Sequence, residues 1–343
     1  MSLQVIDASP LLDGSTGYES TAGDEPVQSS APGYRASQRV RILPKYARTA
    51  VDAVVHYRWT GPLGAPTVIV LGGISAGRDV CRHGAVEGWW DDLVGPGRAV
   101  DVSQRRVLSI EWLATADLDG ANAVASEDQA DALAALLDAL KIDQVQALIG
   151  ASYGAMVGLA FAARHPARLA RLIAISGAHR AHPLATALRS IQRQIIRNGI
   201  DAGSVEPALA LARQLAMTTY RGAEEFAQRF DEVPEFRDGK HCFAVEDYLI
   251  AAGRKFVARF DAQRYLALSE SIDLHRVNPA CIVVPTTLIA VDSDRLVPSQ
   301  DLRDLASALA NATLHELESR YGHDAFLKEP ARIGALIAAT LNC

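Results

Sequence analysis

Residues 150–154 read Gly-Ala-Ser-Tyr-Gly, and this stretch decides the fold class. It fits the pattern Gly-x-Ser-x-Gly and lies between an apolar run, residues 145–149, and a stretch of small residues, 155–163. A strand, a sharp turn and a helix are therefore predicted, with Ser152 at the turn. Glycines suit the flanking positions because a side chain there would crowd the strand or the helix. The stretch predicts a strained turn that exposes a nucleophilic serine hydroxyl.

Composition and charge exclude several classes of protein. The chain has 343 residues and a formal net charge of −6, which gives no indication of nucleic-acid binding. Its four cysteines are far apart and form no C-x-x-C pair, so neither a metal site nor a disulfide framework is predicted. No signal-peptide pattern opens the chain, and no apolar run approaches the roughly 18 residues of a membrane span. We expect a cytoplasmic protein with reduced thiols, no metal and no membrane or nucleic-acid partner.

The order of predicted elements indicates an α/β architecture. From Val51 onward, short β-branched runs alternate with helical patterns, which is typical of a mostly parallel central sheet with helices on both faces. Residues 1–42 are rich in Ser, Gly, Pro and Asp and are predicted to be an N-terminal extension of uncertain order. Residues 181–275 are almost wholly helical in pattern and are predicted to be an inserted helical cap or lid. The core is then formed by residues 43–180 and 276–343.

The apolar runs locate the individual elements. Strands are predicted over residues 51–55, 67–70, 106–110, 145–149, 172–175, 282–284, 287–291 and 313–317. Residues 126–140 carry apolar side chains at helical spacing and are predicted to be a helix. The last three strands follow the cap, so the sheet is predicted to be completed after it.

Two further residues complete a candidate catalytic triad. A serine hydroxyl is a weak nucleophile at neutral pH, so it needs a base and a group that orients that base. Asp294 follows a predicted strand, and His323 lies on a glycine-containing loop after the last one. The order Ser152, Asp294, His323 is that of an α/β-hydrolase triad, and this fold is predicted. Asp292 is the alternative carboxylate; Asp294 is preferred because its spacing to Pro298 suits a loop that turns back under the histidine.

The loop after the strand at residues 67–70 is expected to help form an oxyanion hole. Acyl transfer requires backbone N–H donors for the oxygen that becomes negatively charged. One donor is expected from Tyr153, directly after the nucleophile. The loop reads Leu-Gly-Gly-Ile-Ser-Ala-Gly over residues 71–77, and its glycines allow the backbone to approach the substrate. Gly73 is the preferred second donor, with Ile74 as the alternative.

Several stretches resemble the homoserine O-acyltransferases of the MetX type, a group within the α/β-hydrolase superfamily. They span about residues 50 to 340 of the chain and include residues 88–101, 212–221, 259–266 and 322–327. Two features depart from the family pattern. Residues 111–120 form a shorter loop than the family's Gly-, Ser- and Pro-rich one, and Tyr153 stands where the family often has methionine.

The resemblance implies a two-step ping-pong reaction through Ser152 that converts acyl-CoA and L-homoserine to O-acyl-L-homoserine for methionine biosynthesis. Acyl-CoA is then a co-substrate, and no cofactor is implied. Arg213 and Asp324 match the family positions that bind the carboxylate and the ammonium group of the amino acid. A homodimer built through the cap is also implied. A succinyl donor is slightly favoured over an acetyl donor, with Arg78 and Arg82 as candidate partners for the succinyl carboxylate.

Three alternatives remain open at the level of sequence. L-Serine is one methylene shorter than L-homoserine, a difference worth only about 1 to 3 kcal/mol of discrimination. An esterase of the same fold would share the triad, the turn and the cap. A non-catalytic binding protein of this fold is disfavoured by the intact triad and requires that the three residues not meet in space.

Overall fold

An eight-stranded sheet forms the centre of the computed structural model, which describes residues 33–342. The strands in this range are β1 Gly33–Ile42, β2 Val51–Thr60, β3 Thr67–Leu71, β4 Val94–Gly95, β5 Val100–Asp101, β6 Arg106–Ile110, β7 Ala147–Ala151, β8 Leu172–Ile175, β9 Glu235–Arg237, β10 Lys240–Cys242, β11 Thr286–Val291 and β12 Ala312–Leu317. The α-helices are α1 Ser126–Ala139, α2 Tyr153–Arg164, α3 Pro183–Asp201, α4 Val205–Tyr220, α5 Ala223–Phe230, α6 Ala244–Val257, α7 Ala262–Leu274, α8 Ser299–Ala308, α9 Ala325–Lys328 and α10 Pro330–Leu341.

The strand order in the main sheet is β1-β2-β6-β3-β7-β8-β11-β12. The β1–β2 and β2–β6 pairs are antiparallel, and every pair from β6 to β12 is parallel. Parallel strands place their carboxyl ends at one edge of the sheet, where open α/β sheets carry their ligands. The turns after β3, β7, β8 and β11 therefore meet at a common edge.

Helices cover both faces of the sheet because the parallel strands are apolar on both sides. In β3, Ile69 and Leu71 pack into a core with α1 and α2, while Val68 and Val70 pack into a second core with α10. Successive residues of a strand point to opposite faces, so a continuous apolar run requires cover on each. The prediction of a mostly parallel sheet with helices on both faces is confirmed.

A helical cap lies between β8 and β11 in the chain. It contains α3 to α7 and the short β9–β10 hairpin. The cap has a core of its own, formed by Ile196, Leu209, Ala212, Phe256, Ala262 and Tyr265. Within residues 33–342, no helix is long and apolar enough to cross a membrane.

Two elements differ from the expectations drawn from sequence. Residues 33–42, expected to belong to the N-terminal extension, form β1 and pair along their whole length with β2; residues 1–32 of that extension lie outside the described range. The predicted strand at residues 282–284 is wrong. This segment is an irregular connection in which Val283 is exposed, and Pro285, which lacks an N–H donor, follows at once.

Candidate active site

Ser152 occupies a strained turn between β7 and α2. Its backbone has φ 56° and ψ −118°, a conformation that residues with a side chain rarely adopt. A Cβ at position 150 would lie 2.2 Å from the carbonyl oxygen of Gly154, and one at position 154 would lie 2.4 Å from that of Leu71. Both glycines are therefore required by close backbone packing, as the sequence pattern predicted. The turn places the Ser152 hydroxyl at the carboxyl edge of the sheet.

The structure brings Ser152, His323 and Asp294 into a continuous hydrogen-bonded chain. His323 Nε2 lies 2.8 Å from Ser152 Oγ, and His323 Nδ1 lies 2.6 Å from Asp294 Oδ2. The other carboxylate oxygen of Asp294 accepts hydrogen bonds from the N–H groups of Leu296 and Val297 at 2.9 and 3.0 Å. These contacts fix the carboxylate so that it holds the imidazole with Nδ1 protonated and Nε2 free to accept the serine proton.

The neighbouring carboxylate, Asp292, accepts hydrogen bonds from backbone groups instead of contacting His323. Its Oδ1 accepts hydrogen bonds from the N–H groups of Ser293 and Ser319 at 2.7 and 2.9 Å. It thereby ties the end of β11 to the loop that follows β12 and does not contact the histidine. Of the two candidates weighed from sequence, the geometry assigns the position behind His323 to Asp294.

The surroundings of His323 favour its protonated form. Burial alone lowers the pKa of this imidazole, but the charge and hydrogen bond of Asp294 outweigh burial, and the pKa is raised above its ordinary value. Asp324 adds to the rise, and Arg189 opposes it. The imidazole can therefore take up and hold a proton during attack by the serine, as a general base must.

The two expected oxyanion donors flank the nucleophile. Tyr153 begins α2 directly after Ser152, and a Cβ added to Gly73 would lie 4.0 Å from Ser152 Oγ. The carbonyl of Gly73 is held by Trp112 Nε1 at 3.0 Å, which fixes the loop beside the serine. Among the hydrogen bonds of the described residues, none uses the N–H of Tyr153, Gly73 or Ile74. All three are thus available to an oxyanion, and the choice between Gly73 and Ile74 stays a prediction.

The side chain of Tyr153 connects the turn to the cap. It is fully buried, packs edge-to-face against Trp112 at 4.8 Å between ring centroids, and its hydroxyl lies 2.6 Å from Ser271 Oγ on α7. Burial is the largest cause that raises the pKa of this phenol above its ordinary value, so it stays neutral. The residue that departs from the family pattern therefore fastens α7 over the nucleophile.

Arg213 lines the same pocket as Ser152 and His323. It lies on α4, with its guanidinium 5.2 Å from the ring centroid of Tyr220 and 4.7 Å from that of Phe256. No salt bridge in the described part of the chain involves Arg213. Stacking on two aromatic faces fixes the cation without neutralising it, which suits a carboxylate-binding role.

Asp324 lines the pocket beside His323. Arg221 contacts it at 3.0 Å and also pairs with Glu225. Burial raises the pKa of the Asp324 carboxyl, while Arg221 and His323 oppose that rise. One guanidinium faces two carboxylates here, so this cluster, Arg221, Glu225 and Asp324, carries one net negative charge when all three are ionised.

The arginines expected to bind a succinyl carboxylate do not line the pocket. Arg82 is exposed and pairs with Glu87 and Asp91 at 3.1 and 3.4 Å, and Arg78 is likewise outside the set of lining residues. Arg189, on α3, does line the pocket, and sequence reasoning missed it. No local pattern distinguishes Arg189 from the many other arginines of the cap.

The described residues around Ser152 include no candidate metal centre. Among residues 33–342, no group of three or more histidine, cysteine, aspartate or glutamate side chains is arranged to hold a metal ion. The residues that surround Ser152 instead supply hydrogen-bond donors, a base and charged groups for an organic substrate.

Comparison with known proteins identifies the family of the chain. Residues 66–330 match the family model for the alpha/beta hydrolase fold. A homoserine O-succinyltransferase from Xanthomonas campestris pv. campestris is 46% identical over 342 residues, covering 98% of this chain and 90% of that protein. A homoserine O-acetyltransferase from Thermus thermophilus is 34% identical and covers 74% of this chain and 72% of its own length. A serine O-succinyltransferase from Litchfieldella anticariensis is also 34% identical, with 74% and 82% coverage.

Solved structures show the same architecture at much lower sequence identity. Homoserine O-acetyltransferase from Bacillus anthracis superposes with a TM-score of 0.79 at 17% identity, covering 90% of this chain and 98% of that one. Esterase E22 gives a TM-score of 0.77 at 18% identity, covering 90% of this chain and 100% of that one. At such identities the likeness concerns the fold, whereas the relatives above share the sequence over most of their length. The chain belongs to the α/β-hydrolase family and, within it, to the homoserine O-acyltransferases.

Proposed function

We propose that the protein is a homoserine O-succinyltransferase, which moves a succinyl group from succinyl-CoA to the hydroxyl of L-homoserine. The observation that carries the proposal is that Arg213 and Asp324 line one pocket with Ser152 and His323. A guanidinium and a carboxylate beside the nucleophile match the carboxylate and ammonium groups of an amino acid. An esterase has no need of such a pair.

In the first half-reaction, the thioester is attacked by Ser152. His323 Nε2, 2.8 Å from Ser152 Oγ, accepts the hydroxyl proton as the oxygen bonds to the thioester carbonyl carbon. The N–H of Tyr153 and a donor from the loop, Gly73 or Ile74, stabilise the oxyanion. The carbon–sulfur bond then breaks, and the CoA sulfur leaves with the proton from the histidine. The products are free CoA and a succinyl ester of the serine.

In the second half-reaction, the same groups act on the acceptor. His323 takes the proton of the homoserine hydroxyl, whose oxygen bonds to the carbonyl carbon of the acyl-enzyme. The ester bond to Ser152 breaks, and the serine oxygen recovers a proton from the imidazole. The carboxylate of Asp294 stabilises the imidazolium in both halves. No cofactor is required, since acyl-CoA serves as co-substrate.

Charge in the pocket orients the acceptor. Arg213, which has no carboxylate partner among the described residues, binds the α-carboxylate with its planar fork. The ammonium group lies at the cluster of Arg221, Glu225 and Asp324, whose net charge is negative. Homoserine held at both ends presents its side-chain hydroxyl to the acyl-enzyme, which raises the effective concentration of the acceptor over that of water.

The cap supports transfer over hydrolysis because it covers the nucleophile. Tyr220 stacks against the imidazole of His323 at 6.0 Å between ring centroids, and Tyr153 ties α7 to the turn. Exclusion of water protects an acyl-enzyme until the acceptor arrives.

The donor and the assembly form part of the same proposal. A succinyl donor is supported by the 46% identical homoserine O-succinyltransferase, and the 34% identical relatives named for acetyl transfer make acetyl-CoA the alternative. A homodimer through the cap is supported by exposed apolar side chains on it: Leu184, Ile191, Val205, Leu211, Val233, Phe236, Phe243 and Ile250. A cytoplasmic location and a role in methionine biosynthesis follow from the acyl-CoA donor and the homoserine acceptor.

An acceptor panel tests the proposal directly. Purified protein is incubated with succinyl-CoA or acetyl-CoA and with L-homoserine, L-serine or no amino acid, and free thiol and ester products are measured. We expect thiol release that depends on homoserine and is fastest with succinyl-CoA. Thiol release that no amino acid accelerates contradicts the transferase function, and preference for serine reassigns the acceptor.

The role of Arg213 is tested by Arg213→Gln, with Arg82→Gln as a matched control. We expect Arg213→Gln to raise the KM for homoserine about 10- to 100-fold, the effect of losing a charge-assisted pair. The rate of the first thiol release without acceptor should change little. Arg82→Gln removes an exposed arginine outside the pocket and should leave both quantities unchanged. A KM that Arg213→Gln does not raise contradicts the assignment.

A further inference from the structure

Succinyl transfer to homoserine brings two carboxylates into one pocket. The amino acid carries the first, and the distal end of the succinyl group carries the second. Arg213 can serve only one of them. We propose that Arg189 forms the subsite that binds the distal carboxylate of the succinyl group and so selects the donor, an inference that rests on the proposed function.

Arg189 presents a fixed and partly unused guanidinium. Its Nε and Nη2 donate hydrogen bonds to Asp273 Oδ1 on α7 at 2.8 and 2.6 Å. Within residues 33–342, no hydrogen bond uses its Nη1. Arg189 is also a lining residue of the pocket, and its unused Nη1 is the nitrogen that we assign to a bound anion. The side chain is thus oriented in advance, which reduces the entropy lost on binding.

The surrounding charges leave this cluster positive. Asp273 also accepts a hydrogen bond from Arg193 Nη1 at 2.6 Å and one from Thr186 Oγ1 at 2.8 Å. Two guanidinium groups therefore face one carboxylate, which leaves one net positive charge. Both arginines and Asp273 are largely buried, so water screens this charge weakly. An anion of the substrate is the missing partner that balances it.

Two other residues of the pocket lining have unused hydrogen-bonding groups. Gln192, one turn along α3, accepts a hydrogen bond from the hydroxyl of Tyr265 at 2.6 Å through its side-chain oxygen, which leaves its amide N–H groups as donors. Ser176, at the end of β8, is buried, and its hydroxyl has no hydrogen-bond partner among the described residues. A buried hydroxyl without a partner is costly unless a ligand satisfies it. Together these donors and Arg189 suit a carboxylate.

The other arginines considered do not fit this role. Arg78 and Arg82 lie outside the pocket lining. Arg213 is near Asp324, whose pKa it affects, and is best placed for the amino-acid acceptor. Arg193 uses its Nη1 on Asp273 and on Ser269, and it does not line the pocket. The geometry therefore distinguishes Arg189 from Arg193, although the two share a carboxylate.

The test compares succinyl-CoA with butyryl-CoA, in which a methyl group replaces the distal carboxylate. Arg189→Gln removes the charge and keeps much of the side-chain length. We expect its kcat/KM for succinyl-CoA to fall about 10- to 100-fold, as for the loss of a charge-assisted hydrogen bond. With butyryl-CoA, kcat/KM of Arg189→Gln should fall by less than about threefold or should rise. Arg189→Lys, which retains a charge but not the fork, should recover part of the succinyl rate.

Arg193→Gln is the matched control because it removes the other arginine from the same carboxylate. Because it also removes the net positive charge of the cluster but leaves Nη1 of Arg189 in place, it should lower kcat/KM for succinyl-CoA less than Arg189→Gln does, and thermal melting should show that both variants are folded. Equal loss with both donors in Arg189→Gln, or no loss with succinyl-CoA, overturns the subsite. The subsite is also overturned if the wild-type enzyme transfers butyryl and acetyl groups to homoserine as efficiently as succinyl groups. That result leaves the proposed acyl transfer to homoserine intact. A wild-type enzyme without homoserine-dependent turnover instead refutes the proposed function.

Discussion

Replacing Asp294 by asparagine separates the orienting role of this residue from its structural one. The oxygen that accepts the N–H groups of Leu296 and Val297 is retained in Asp294→Asn. If the amide turned the other way, its NH₂ group would face those two donors and leave them unsatisfied, at about 1 to 3 kcal/mol each. The oxygen therefore stays on the Leu296 side, and the NH₂ group faces Nδ1 of His323.

This orientation of the amide determines which nitrogen of the His323 imidazole carries the proton. An NH₂ group 2.6 Å from Nδ1 can only donate, so His323 must accept at Nδ1 and carry its proton on Nε2. Nε2 is then unable to accept the proton of Ser152. Loss of the correct tautomer in a serine triad costs about 10⁴-fold in kcat. At about 1.36 kcal/mol for each factor of ten, this corresponds to about 5.4 kcal/mol of activation free energy.

The assay is thiol release from succinyl-CoA with saturating homoserine, measured for the wild type, Asp294→Asn and Asp292→Asn. Asp292→Asn is the matched control because Asp292 accepts backbone N–H groups and does not contact the histidine. We expect it to retain activity within about threefold, and both variants to melt within a few degrees of the wild type. The reasoning is refuted if Asp294→Asn keeps more than a tenth of the wild-type kcat, or if Asp292→Asn loses as much activity as Asp294→Asn.

Three further predictions concern the turn and the base. Tyr153→Phe removes the 2.6 Å contact with the buried Ser271 hydroxyl and should lower the free energy of unfolding, measured by urea denaturation, by about 1 to 2 kcal/mol. Its kcat should be nearly unchanged because the backbone N–H of residue 153 remains, so a kcat loss above tenfold contradicts this prediction. Gly154→Ala places a Cβ 2.4 Å from the carbonyl oxygen of Leu71 and should lower the free energy of unfolding by at least about 2 kcal/mol. A variant whose midpoint of urea unfolding equals that of the wild type contradicts this prediction. Because the pKa of His323 is raised and the base must be neutral, kcat/KM should fall as pH drops through a value above the ordinary histidine pKa of about 6.5; an acid limb below 6.5 in a pH–rate profile argues against it.

The sequence predicted those parts of the site that depend on short local patterns of residues. The turn at Ser152 requires glycine at positions 150 and 154 because a Cβ added there would lie within 2.4 Å of backbone atoms of Gly154 and Leu71. This requirement can be recognised in the sequence as the pattern Gly-x-Ser-x-Gly. Asp294 and His323 were found because each follows a strand that ends at the carboxyl edge of the sheet. The order Ser152, Asp294, His323 along the chain then supported their assignment as a triad.

The parts that were missed depend on contacts between distant segments. Tyr34, Ala36, Val40 and Ile42 alternate with more polar residues, but the richness of residues 1–42 in Ser, Gly, Pro and Asp led to the prediction of an extension without periodicity. Pairing with β2, which buries one side of the segment, decides its structure. Similarly, Arg189 is one of many arginines in the cap until Asp273, 84 residues later in the chain, fixes its guanidinium beside the pocket. Neither contact has a local signature.

The residues of the proposed mechanism are divided between the core and the cap. Ser152, Asp294 and His323 lie on core turns, whereas Arg189 and Arg213 lie on cap helices. In the proposed function, the acyl chemistry depends on the sheet edge, the cap supplies Arg213 and Arg189 for the two carboxylates, and the core supplies Asp324 for the ammonium group. The structural likeness to esterase E22 at 18% identity spans 90% of this chain and so includes the cap as well as the core. In the proposed function, the insertion that contributes Arg213 to the acceptor site also restricts water, so acceptor binding and protection from hydrolysis depend partly on the same segment.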